Sequence, residues 1–545
     1  MTVVIDGSNL TLTSIDAVSR GEAVRLSDAA HVLTRIDRSR QVLQEKIAKG
    51  EQIYGVTTLF GGMADHYVGP EHLVDVQRLA LWQNKATTGP RLPNTDVRAA
   101  MLLRANSLAR GASGIRREII ERFVTLLNAG VTPHVHQRGS IGASGDLIPL
   151  AYIAGAALGL DPAYMVDFGG ESLDSHTALR KLNLSPLELE PKEGLALING
   201  TGASTAVAAN ALTRAQELLA LTLGIHALFA QAMLSTSQTF EPYIHNIKPH
   251  PGQIWTAEQM RKLVAGSKLV RSEAAGDRGH RAGKLIQDRY SLRCLPQYIG
   301  PIVDGITTAT RQIEIEANCA NDNPLIDPES GEIFHTGNFL AQYTAVAMDA
   351  LRYHIGMLAK HVDVQIALLM TPEFSYGLNA SLVGNVAATA NVGLKGLQVA
   401  GNQMMPLIGY YGQSVADRFP THAEQYNQNV NSQSMNAANL ARDQLDVLEH
   451  YLAAALLCGV QAVELRAKQV ANTYDARAVL SPATQALYVE ARSAAGGPPS
   501  STHPVHWNDF DGFLQPKVEG VLASISRRSG VIQAVREITE SLRAR

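Results

Sequence analysis

The segment 142–146 (GASGD) contains a tripeptide that can generate an electrophile from its own backbone. In Ala143-Ser144-Gly145 the glycine nitrogen is the least hindered amide nucleophile, and glycine tolerates the strained backbone of a five-membered ring. Attack on the alanine carbonyl with loss of water gives an imidazolone, and dehydration of the serine leaves an exocyclic methylene. The tripeptide therefore offers a soft electrophile that needs no bound cofactor.

The same tripeptide occurs at 112–114 and at 143–145. The first copy lies in a basic helical pattern, LARGASGIRRE. The second copy follows a glycine-punctuated turn and leads into an apolar helix, GSIGASGDLIPLAYIAGAALG. Read alone, either tripeptide is far more typical of a small-residue turn or helix cap than of an electrophile. The context favours Ser144 over Ser113 as the reactive serine.

The second copy and its surroundings resemble the aromatic amino acid lyase family, whose members carry a 4-methylidene-imidazol-5-one (MIO) group. The resemblance covers nearly the whole chain and is closest to the phenylalanine ammonia-lyases of cyanobacteria. Besides GSIGASGDLIPLA, it rests on the segments 54–64, 98–117, 192–201, 248–253, 286–306, 321–327 and 416–433. It implies that the MIO forms autocatalytically from Ala143-Ser144-Gly145 and that ammonia is eliminated from L-phenylalanine to give trans-cinnamate.

The resemblance also implies an architecture. It is a mainly α-helical fold like that of the histidine and phenylalanine ammonia-lyases, with an N-terminal MIO-bearing domain and a long central helical bundle. The family assembles as homotetramers whose active sites draw on three subunits. We expect the same assembly here.

Tyr54 matches the lid tyrosine that the family uses as the proposed base. Removing the weakly acidic β-proton of phenylalanine requires a well-placed base and an electron sink. A phenol titrates near 10 and needs cationic or dipolar help to act near neutral pH. Leu59 stands where the family usually has glycine in its YGVxxGFG stretch, so lid flexibility is expected to differ.

Several polar residues match groups that hold the substrate in the family. Arg293 corresponds to the residue that clamps the carboxylate, since a planar guanidinium forms a bidentate pair with it. Asn199 and Tyr290 correspond to groups hydrogen-bonded around the MIO and the substrate. Asn323 and Gln287 correspond to polar contacts in the same site.

Glu424 and Gln428, in HAEQYNQN, match residues beside the MIO in the family, and Lys395 matches their neighbour. A carboxylate there would take a proton from the incoming ammonium or stabilise the leaving ammonia. Tyrosine lyases and several aminomutases of the family tend to have an amide where Glu424 stands. This position therefore favours a phenylalanine or histidine lyase over a mutase.

The ring-binding residues depart from the family pattern. Leu147, Leu195 and Phe339 are apolar, as a wall against an aromatic ring requires. Gln83 and Asn84, however, stand where phenylalanine lyases usually have an apolar pair and tyrosine lyases a histidine. An unpaired amide against a phenyl ring costs about 1–3 kcal/mol. A tyrosine lyase therefore remains open, as does a 2,3-aminomutase with a tight lid; an inert helical scaffold is remote.

Long helices must position these residues. Segments 204–236, 339–371 and 434–466 lack proline and repeat apolar residues at three- and four-residue spacing, which predicts helices about 45–50 Å long. Their faces are broadly apolar, so they favour a bundle buried on several sides and shared in a homo-oligomer, with a large helical monomer as the alternative. We divide the chain into an N-terminal MIO and lid domain, 1–200, and a bundle with C-terminal helices, 201–545.

Composition narrows the possible partners. The 545 residues include 47 Lys and Arg against 50 Asp and Glu, which gives no reason to expect nucleic acid or a membrane surface. The three cysteines form no CxxC pair, and the N-terminal residues do not have the pattern of a secretory signal. Both observations predict a cytoplasmic enzyme. His134 and His136, or His245 and His250, do not complete a ligand set, so we expect no metal. The expected partner is a small aromatic amino acid.

Overall fold

Helices account for most of the chain. The structure, a computed structural model, describes residues 2–271, 287–418, 420 and 422–545. The motifs at 286–306 and 416–433 each include residues that lie outside these ranges. The expectation of a mainly α-helical fold is confirmed.

The helices are numbered here in chain order. The first eight are α1 (Leu12–Ser19), α2 (Ala30–Ala48), α3 (Leu73–Trp82), α4 (Asn94–Ala109), α5 (Arg117–Ala129), α6 (Leu147–Leu158), α7 (Ser175–Lys181) and α8 (Glu193–Ile198). They are followed by α9 (Gly202–Ala232), α10 (Pro242–Asn246), α11 (Pro251–Val264), α12 (Tyr290–Arg293), α13 (Leu295–Ala317) and α14 (Gln342–Leu369). The last six are α15 (Lys395–Tyr411), α16 (Ser434–Ala471), α17 (Pro482–Ala494), α18 (Gln515–Ser526), α19 (Gly530–Gln533) and α20 (Arg536–Arg543).

Three helices, α9, α14 and α16, correspond to the long apolar segments of the sequence. Helix α9 ends at Ala232, four residues before the predicted end, and Leu234 adopts a left-handed φ of 50° that cannot continue a right-handed helix. Helix α16 runs on to Ala471, five residues past the predicted end. The 3.6-residue period therefore predicted these helices well and their ends less well.

Short strands form small sheets between the early helices. Strands β1 (Val3–Ile5) and β2 (Val24–Leu26) pair in parallel, and β3 (Thr88–Arg91) pairs antiparallel with β5 (His136–Arg138). Strand β6 (Met165–Phe168) lies between β4 (Thr132–Pro133) and β7 (Glu171–Asp174), and β8 (Leu325–Ile326) pairs with β9 (Ile333–Phe334). The sheets serve mainly to fix loops between helices.

The chain divides into two compact units. The first unit comprises 1–213, 309–350 and 414–442, and the second comprises 214–308, 351–413 and 443–545. This differs from the sequence-based division at residue 200, because later segments of the chain return to complete the first unit. In that unit α4 is buried on almost every side, and charged residues such as Arg98 and Arg104 are buried with it.

Two global features bear on possible functions. Among the described residues, one helix, α16, is long and apolar enough to cross a membrane, but 83% of its apolar window is buried inside the protein. A buried core helix meets the same criterion, so this is weak evidence for a membrane span. The described parts of the chain contain no group of three His, Cys, Asp or Glu side chains that could hold a metal ion.

Candidate active site

The second copy of the tripeptide lies in the first unit, in the turn that leads directly into α6. Gly145 has a φ of +73°, and a Cβ on it would lie 2.2 Å from the Gly200 carbonyl oxygen. Gly145 and Gly200 pair as a short parallel bridge, and the Asp146 N–H donates to the Gly200 oxygen at 2.7 Å. Only glycine permits both the left-handed turn and this close approach.

Two amide side chains converge on Ser144. Asn199 Nδ2 donates to the Ser144 carbonyl oxygen at 2.9 Å, and Gln428 Nε2 donates to the Ser144 hydroxyl at 2.8 Å. Asn199 lies directly after α8, and Gln428 comes from a loop 284 residues away along the chain. The predicted residues Asn199 and Gln428 are therefore both brought to the tripeptide, one to its backbone and one to its hydroxyl.

Asp146 anchors the turn from behind. Its side chain is fully buried and accepts hydrogen bonds from the Ser204 N–H at 2.7 Å, the Ser204 hydroxyl at 2.9 Å and the Ser140 hydroxyl at 2.8 Å. Burial raises the pKa of Asp146, and these hydrogen bonds oppose that rise. The contacts fix the end of the tripeptide to the start of α9, which holds the turn rigid.

Tyr54 lies beside a glycine-rich loop of the same unit. Its phenolic oxygen accepts a hydrogen bond from the Gly61 N–H at 2.9 Å, and its ring meets Phe60 edge-on at 6.4 Å. Burial raises the pKa of Tyr54, the hydrogen bond from Gly61 opposes this, and the charge of Glu424 adds to the rise. The Gly61 N–H supplies the dipolar assistance that a Tyr54 phenolate requires, but the pKa of Tyr54 remains above its ordinary value.

Glu424 lies on the other side of Gly61. A Cβ on Gly61, which has a φ of +59°, would lie 2.0 Å from Glu424 Oε2. Burial raises the pKa of Glu424, and a hydrogen bond with Gln428 opposes this. A continuous series of contacts thus runs from Ser144 through Gln428 and Glu424 to Gly61 and Tyr54.

The loop that carries Glu424 has an unusual backbone. Glu424, Gln425 and Tyr426 have φ values of 48°, 53° and 66°, so three consecutive non-glycine residues are left-handed. Each such residue costs about 1–2 kcal/mol relative to a right-handed conformation. Strain of this kind concentrates at functional sites, where surrounding contacts maintain it.

Part of the predicted ring wall is formed around α3 and α8. Leu195 is buried in α8, and its Cδ2 would lie 2.5 Å from a Cβ on Gly55, next to Tyr54. Gln77, fully buried in α3, donates from Nε2 to the Gly55 oxygen at 2.9 Å and accepts from the Leu195 N–H at 3.1 Å. Leu147 is the first residue of α6, immediately after the tripeptide turn.

The two amides at the end of α3 behave differently from each other. Asn84 is 9% exposed, and its Nδ2 donates to the Ala80 oxygen at 2.7 Å. Gln83 is the C-cap residue of α3 and its side chain is exposed. The amide nitrogen of Asn84 therefore already has a hydrogen-bond acceptor in its own helix. This lowers the free-energy cost that the sequence predicted for an unpaired amide against the ring.

Asn323 and Phe339 flank a hairpin that reaches the tyrosine. Asn323 Oδ1 accepts from the Thr336 N–H at 2.7 Å, and His335 Nε2 accepts from the Tyr54 N–H at 3.2 Å. Phe339 lies three residues after Thr336 and is half-buried. In the first unit, Asn323 thus lies on the segment that supports the backbone of Tyr54.

The four remaining predicted residues belong to the second unit. Tyr290 and Arg293 are the first and last residues of α12; the Arg293 guanidinium lies 4.7 Å from the Tyr290 ring centre and donates to Gln287 Oε1. The Tyr290 side chain is 73% exposed. Lys395 is exposed at the start of α15. Gln287, Tyr290 and Arg293 therefore form one local cluster on or beside α12.

Sequence reasoning did not identify several residues that shape the site. Gln77 in α3 and Arg104 in α4 are fully buried polar side chains, and the hydrogen bond from the Gly61 N–H involves no side chain of that residue. The sequence clue to Arg104 was a charged residue among the apolar residues of α4, since arginine is rarely fully buried without a partner. It gives the position of a polar group but not its partner.

Comparisons with known proteins show which family and which folds the chain is similar to. The profile of the family described as "Aromatic amino acid lyase" matches residues 10–493. The chain is 62% identical to an aromatic ammonia-lyase of Loktanella atrilutea over 100% of both chains, and 52% identical to a phenylalanine ammonia-lyase of Nostoc punctiforme over 99% of this chain and 95% of the relative. The solved structure of tyrosine aminomutase from Streptomyces globisporus has a TM-score of 0.87 at 30% identity and covers 98% of this chain and 99% of that one.

Proposed function

We propose that this chain, which belongs to the aromatic amino acid lyase family, uses an MIO group formed from Ala143-Ser144-Gly145 to convert L-phenylalanine into trans-cinnamate and ammonia. The reaction class is an ammonia elimination from aromatic amino acids. The observation that carries the finer proposal is the series of contacts that links Ser144, Gln428, Glu424, Gly61 and Tyr54 within one unit.

The surroundings of the tripeptide fit such a group. Gly145 is held in a left-handed turn against Gly200, and Ser144 receives one hydrogen bond on its carbonyl and one on its hydroxyl. Asn199 Oδ1 is buried without a hydrogen-bond partner among the described residues, so it can accept one more donor. When present, the MIO group supplies the electron sink that makes the amino nitrogen a good leaving group.

Tyr54 is proposed to accept the β-proton at its phenolic oxygen. The Gly61 N–H that points at this oxygen stabilises the phenolate, whereas burial and Glu424 favour the neutral phenol. Because these effects sum to a raised pKa, the fraction of active base increases with pH. We therefore expect a rate that rises toward alkaline pH.

Glu424 is proposed to handle the proton of the substrate ammonium. Its raised pKa suits a carboxyl group that must be able to hold a proton during the cycle. Gln428 orients Glu424 while its amide also reaches the Ser144 hydroxyl. Lys395, in the second unit, remains a proposed site residue on the family's pattern.

The carboxylate of the substrate is proposed to bind Arg293, with Gln287 and Tyr290 of the same local cluster as polar partners. Arg293 Nε is buried with no hydrogen-bond partner in the described part of the chain. A carboxylate would satisfy such a donor, and a guanidinium is suited to bind it through paired hydrogen bonds. The ring would lie against Leu147, Leu195 and Phe339.

We also propose a cytoplasmic homotetramer. Large apolar side chains on the long helices of each unit are exposed in the single chain, and exposed apolar surface is typical of subunit interfaces. The exposed residues include Ile315, Tyr343, Val346, Tyr353, Val364, Val399 and Tyr410, at 46–68% exposure. A native mass or light-scattering measurement tests this assembly, and a monomer would contradict it.

Separate incubations with L-phenylalanine, L-tyrosine and L-histidine test the substrate. The absorbance of the arylacrylate, free ammonia and chiral analysis of amino-acid products are followed together. Cinnamate formed mainly from phenylalanine supports the proposal, and dominant coumarate contradicts it. An accumulating β-amino acid would instead assign the chain to the aminomutases, whose fold it shares.

A pair of serine variants tests the electrophile. Ser144→Ala is expected to abolish activity and to leave the mass of the peptide at 143–145 unchanged, whereas the wild-type peptide lacks the mass of two water molecules. Ser113→Ala is the matched control, because Ser113 is a buried serine in the other copy, where the Gly114 N–H bonds to Ser39. Equal losses in the two variants would refute the assignment to 143–145.

A further inference from the structure

A fully buried arginine lies behind the tripeptide turn, and nothing in the proposed mechanism uses it. We propose that Arg104 is the positioning residue for ring closure at Ala143-Ser144-Gly145, and that it acts through Asn199 and Gly200. This inference rests on the proposed function, since it concerns the same electrophile. It assigns to Arg104 a role in forming the group, separate from binding the substrate.

Arg104 contacts the segment 199–200 directly. Its Nη1 donates to Asn321 Oδ1 at 3.0 Å and lies 3.4 Å from the Asn199 carbonyl oxygen and 3.5 Å from that of Asn321. A Cβ on Gly200 would lie 1.9 Å from the same nitrogen. The guanidinium therefore packs against the bare backbone of Gly200, and no larger residue could stand there without displacing it.

The opposite side of the segment 199–200 holds the tripeptide. Asn199 Nδ2 binds the Ser144 carbonyl oxygen at 2.9 Å, and the Gly200 oxygen accepts from the Asp146 N–H at 2.7 Å. These two hydrogen bonds hold the backbone at Ser144 and Asp146, on either side of Gly145. Because Arg104 fixes Asn199 and Gly200, it also fixes the orientation of the Gly145 nitrogen between them.

Ring closure depends on that orientation. The Gly145 nitrogen forms a bond to the Ala143 carbonyl carbon. The Ala143 oxygen leaves as water with the amide hydrogens of Gly145 and Ser144, and a C=N double bond forms between the Ala143 carbonyl carbon and the Ser144 nitrogen. The Ser144 hydroxyl then leaves as a second water with the Ser144 α-hydrogen. Intramolecular attack of this kind gains its rate from holding the reacting atoms close and aligned.

The charge balance around Arg104 is unusual for a purely packing role. Its Nε and Nη2 are buried and have no hydrogen-bond partner among the described residues. The nearby carboxylate, Asp322, is bound to Lys192 Nζ at 2.7 Å, and both of those side chains are fully buried. Two cations therefore share one anion, which is a costly arrangement that an apolar side chain would avoid.

Substitution of Arg104 by methionine and by lysine in the full-length enzyme tests the inference. The matched control is Arg98→Met: Arg98 is on the same helix, is 7% exposed, and donates to the carbonyl oxygens of Val18, Ser19 and Leu127 at 3.1–3.2 Å. The readouts are the mass of the 143–145 peptide at successive times after synthesis, the ultraviolet absorbance of the conjugated ring, and the thermal midpoint. Gly200→Ala is a second route, since it displaces the guanidinium without removing its charge.

We expect Arg104→Met to slow loss of the two waters about tenfold or more, from the loss of a hydrogen bond to a charged donor. Arg104→Lys should fall between Arg104→Met and the wild type, and Arg98→Met should cyclise fully even at a lowered thermal midpoint. If Arg104→Met does not fold, Arg104→Lys and Gly200→Ala replace it in the test. Either of these variants, if it folds but its 143–145 peptide keeps the mass of both waters, supports the inference. Full cyclisation at the wild-type rate in the folded Arg104 and Gly200 variants overturns it.

The same data distinguish this inference from the proposed function. If the wild-type peptide retains the mass of both waters, the electrophile itself is absent and the proposed function fails. If the wild type and the Arg104 variants all lose the two waters at the same rate, only the role of Arg104 fails. Equal slowing in Arg98→Met would also overturn the role, because the effect would then follow stability.

Discussion

Gly61 separates Tyr54 from Glu424, and replacing it by alanine should damage catalysis far more than stability. Its N–H binds the Tyr54 oxygen at 2.9 Å, and the added methyl would lie 2.0 Å from Glu424 Oε2 and 2.8 Å from Glu424 Cδ. The carboxylate would have to move, because the methyl is about 1.5 Å short of van der Waals contact. The substitution therefore pushes Tyr54 and Glu424 apart without removing either side chain.

Two separate effects set the size of the change. An L-residue at the left-handed φ of +59° costs about 1–2 kcal/mol of unfolding free energy. A misplacement of about 1 Å between reacting groups costs roughly 100-fold in rate. We therefore expect kcat for L-phenylalanine to fall about 100-fold while KM changes less, because the carboxylate and ring contacts do not involve Gly61.

Gly130→Ala is the matched control. Gly130 has a φ of +77° at the end of α5, and nothing described lies within 4 Å of the position of its Cβ. It shares the conformational penalty of Gly61→Ala but not the collision with Glu424. The assay compares kcat, KM and the urea unfolding free energy of both variants. Similar stabilities with kcat for Gly61→Ala within about twofold of that for Gly130→Ala would refute the reasoning.

Substitutions at three other places in the first unit test further parts of the proposal. Glu424→Gln removes a negative charge that raises the pKa of Tyr54. Because the deprotonated phenol of Tyr54 is the proposed base, the rising limb of kcat/KM against pH should move to lower pH, even though the rate itself falls. A limb that stays in place or moves to higher pH contradicts the assignment of Tyr54. Glu193, which is 1% exposed and bound to Arg116 at 2.7 Å, anchors the start of α8 ahead of Leu195 and Asn199. Glu193→Gln should lower the free energy of unfolding by about 3 kcal/mol. Glu190 forms an ion pair with Arg40 in which both side chains are 36% exposed, so Glu190→Gln should lower the free energy of unfolding by about 1 kcal/mol or less. Equal effects of the two substitutions in urea unfolding would show that the burial of Glu193 does not matter. Asn84→Leu should raise the ratio of kcat/KM for L-phenylalanine to that for L-tyrosine by about tenfold, since a polar group leaves the ring wall; an unchanged ratio would mean that Asn84, held by Ala80, does not face the ring.

Much of the fold could be predicted from local patterns in the sequence. The 3.6-residue spacing of apolar residues identified α9, α14 and α16, since helix periodicity is a property of neighbouring residues. The ends were less predictable, as the left-handed Leu234 after α9 shows. The division into units was not predictable in this way, because segments 309–350 and 414–442 return from far along the chain to complete the first unit.

The sequence alone showed that Ala143-Ser144-Gly145 has the residue types and order that the proposed cyclisation requires, although the copy at 112–114 has them as well. The tertiary structure decided what surrounds residues 143–145. Gln428 reaches the Ser144 hydroxyl across 284 residues, and Arg104 packs on Gly200 at a distance that only glycine allows. Such contacts depend on how distant segments pack against each other, and local patterns in the sequence do not predict them. The residue types of the tripeptide permit the proposed chemistry, and the packing of distant segments around Gly145 sets the orientation of its backbone.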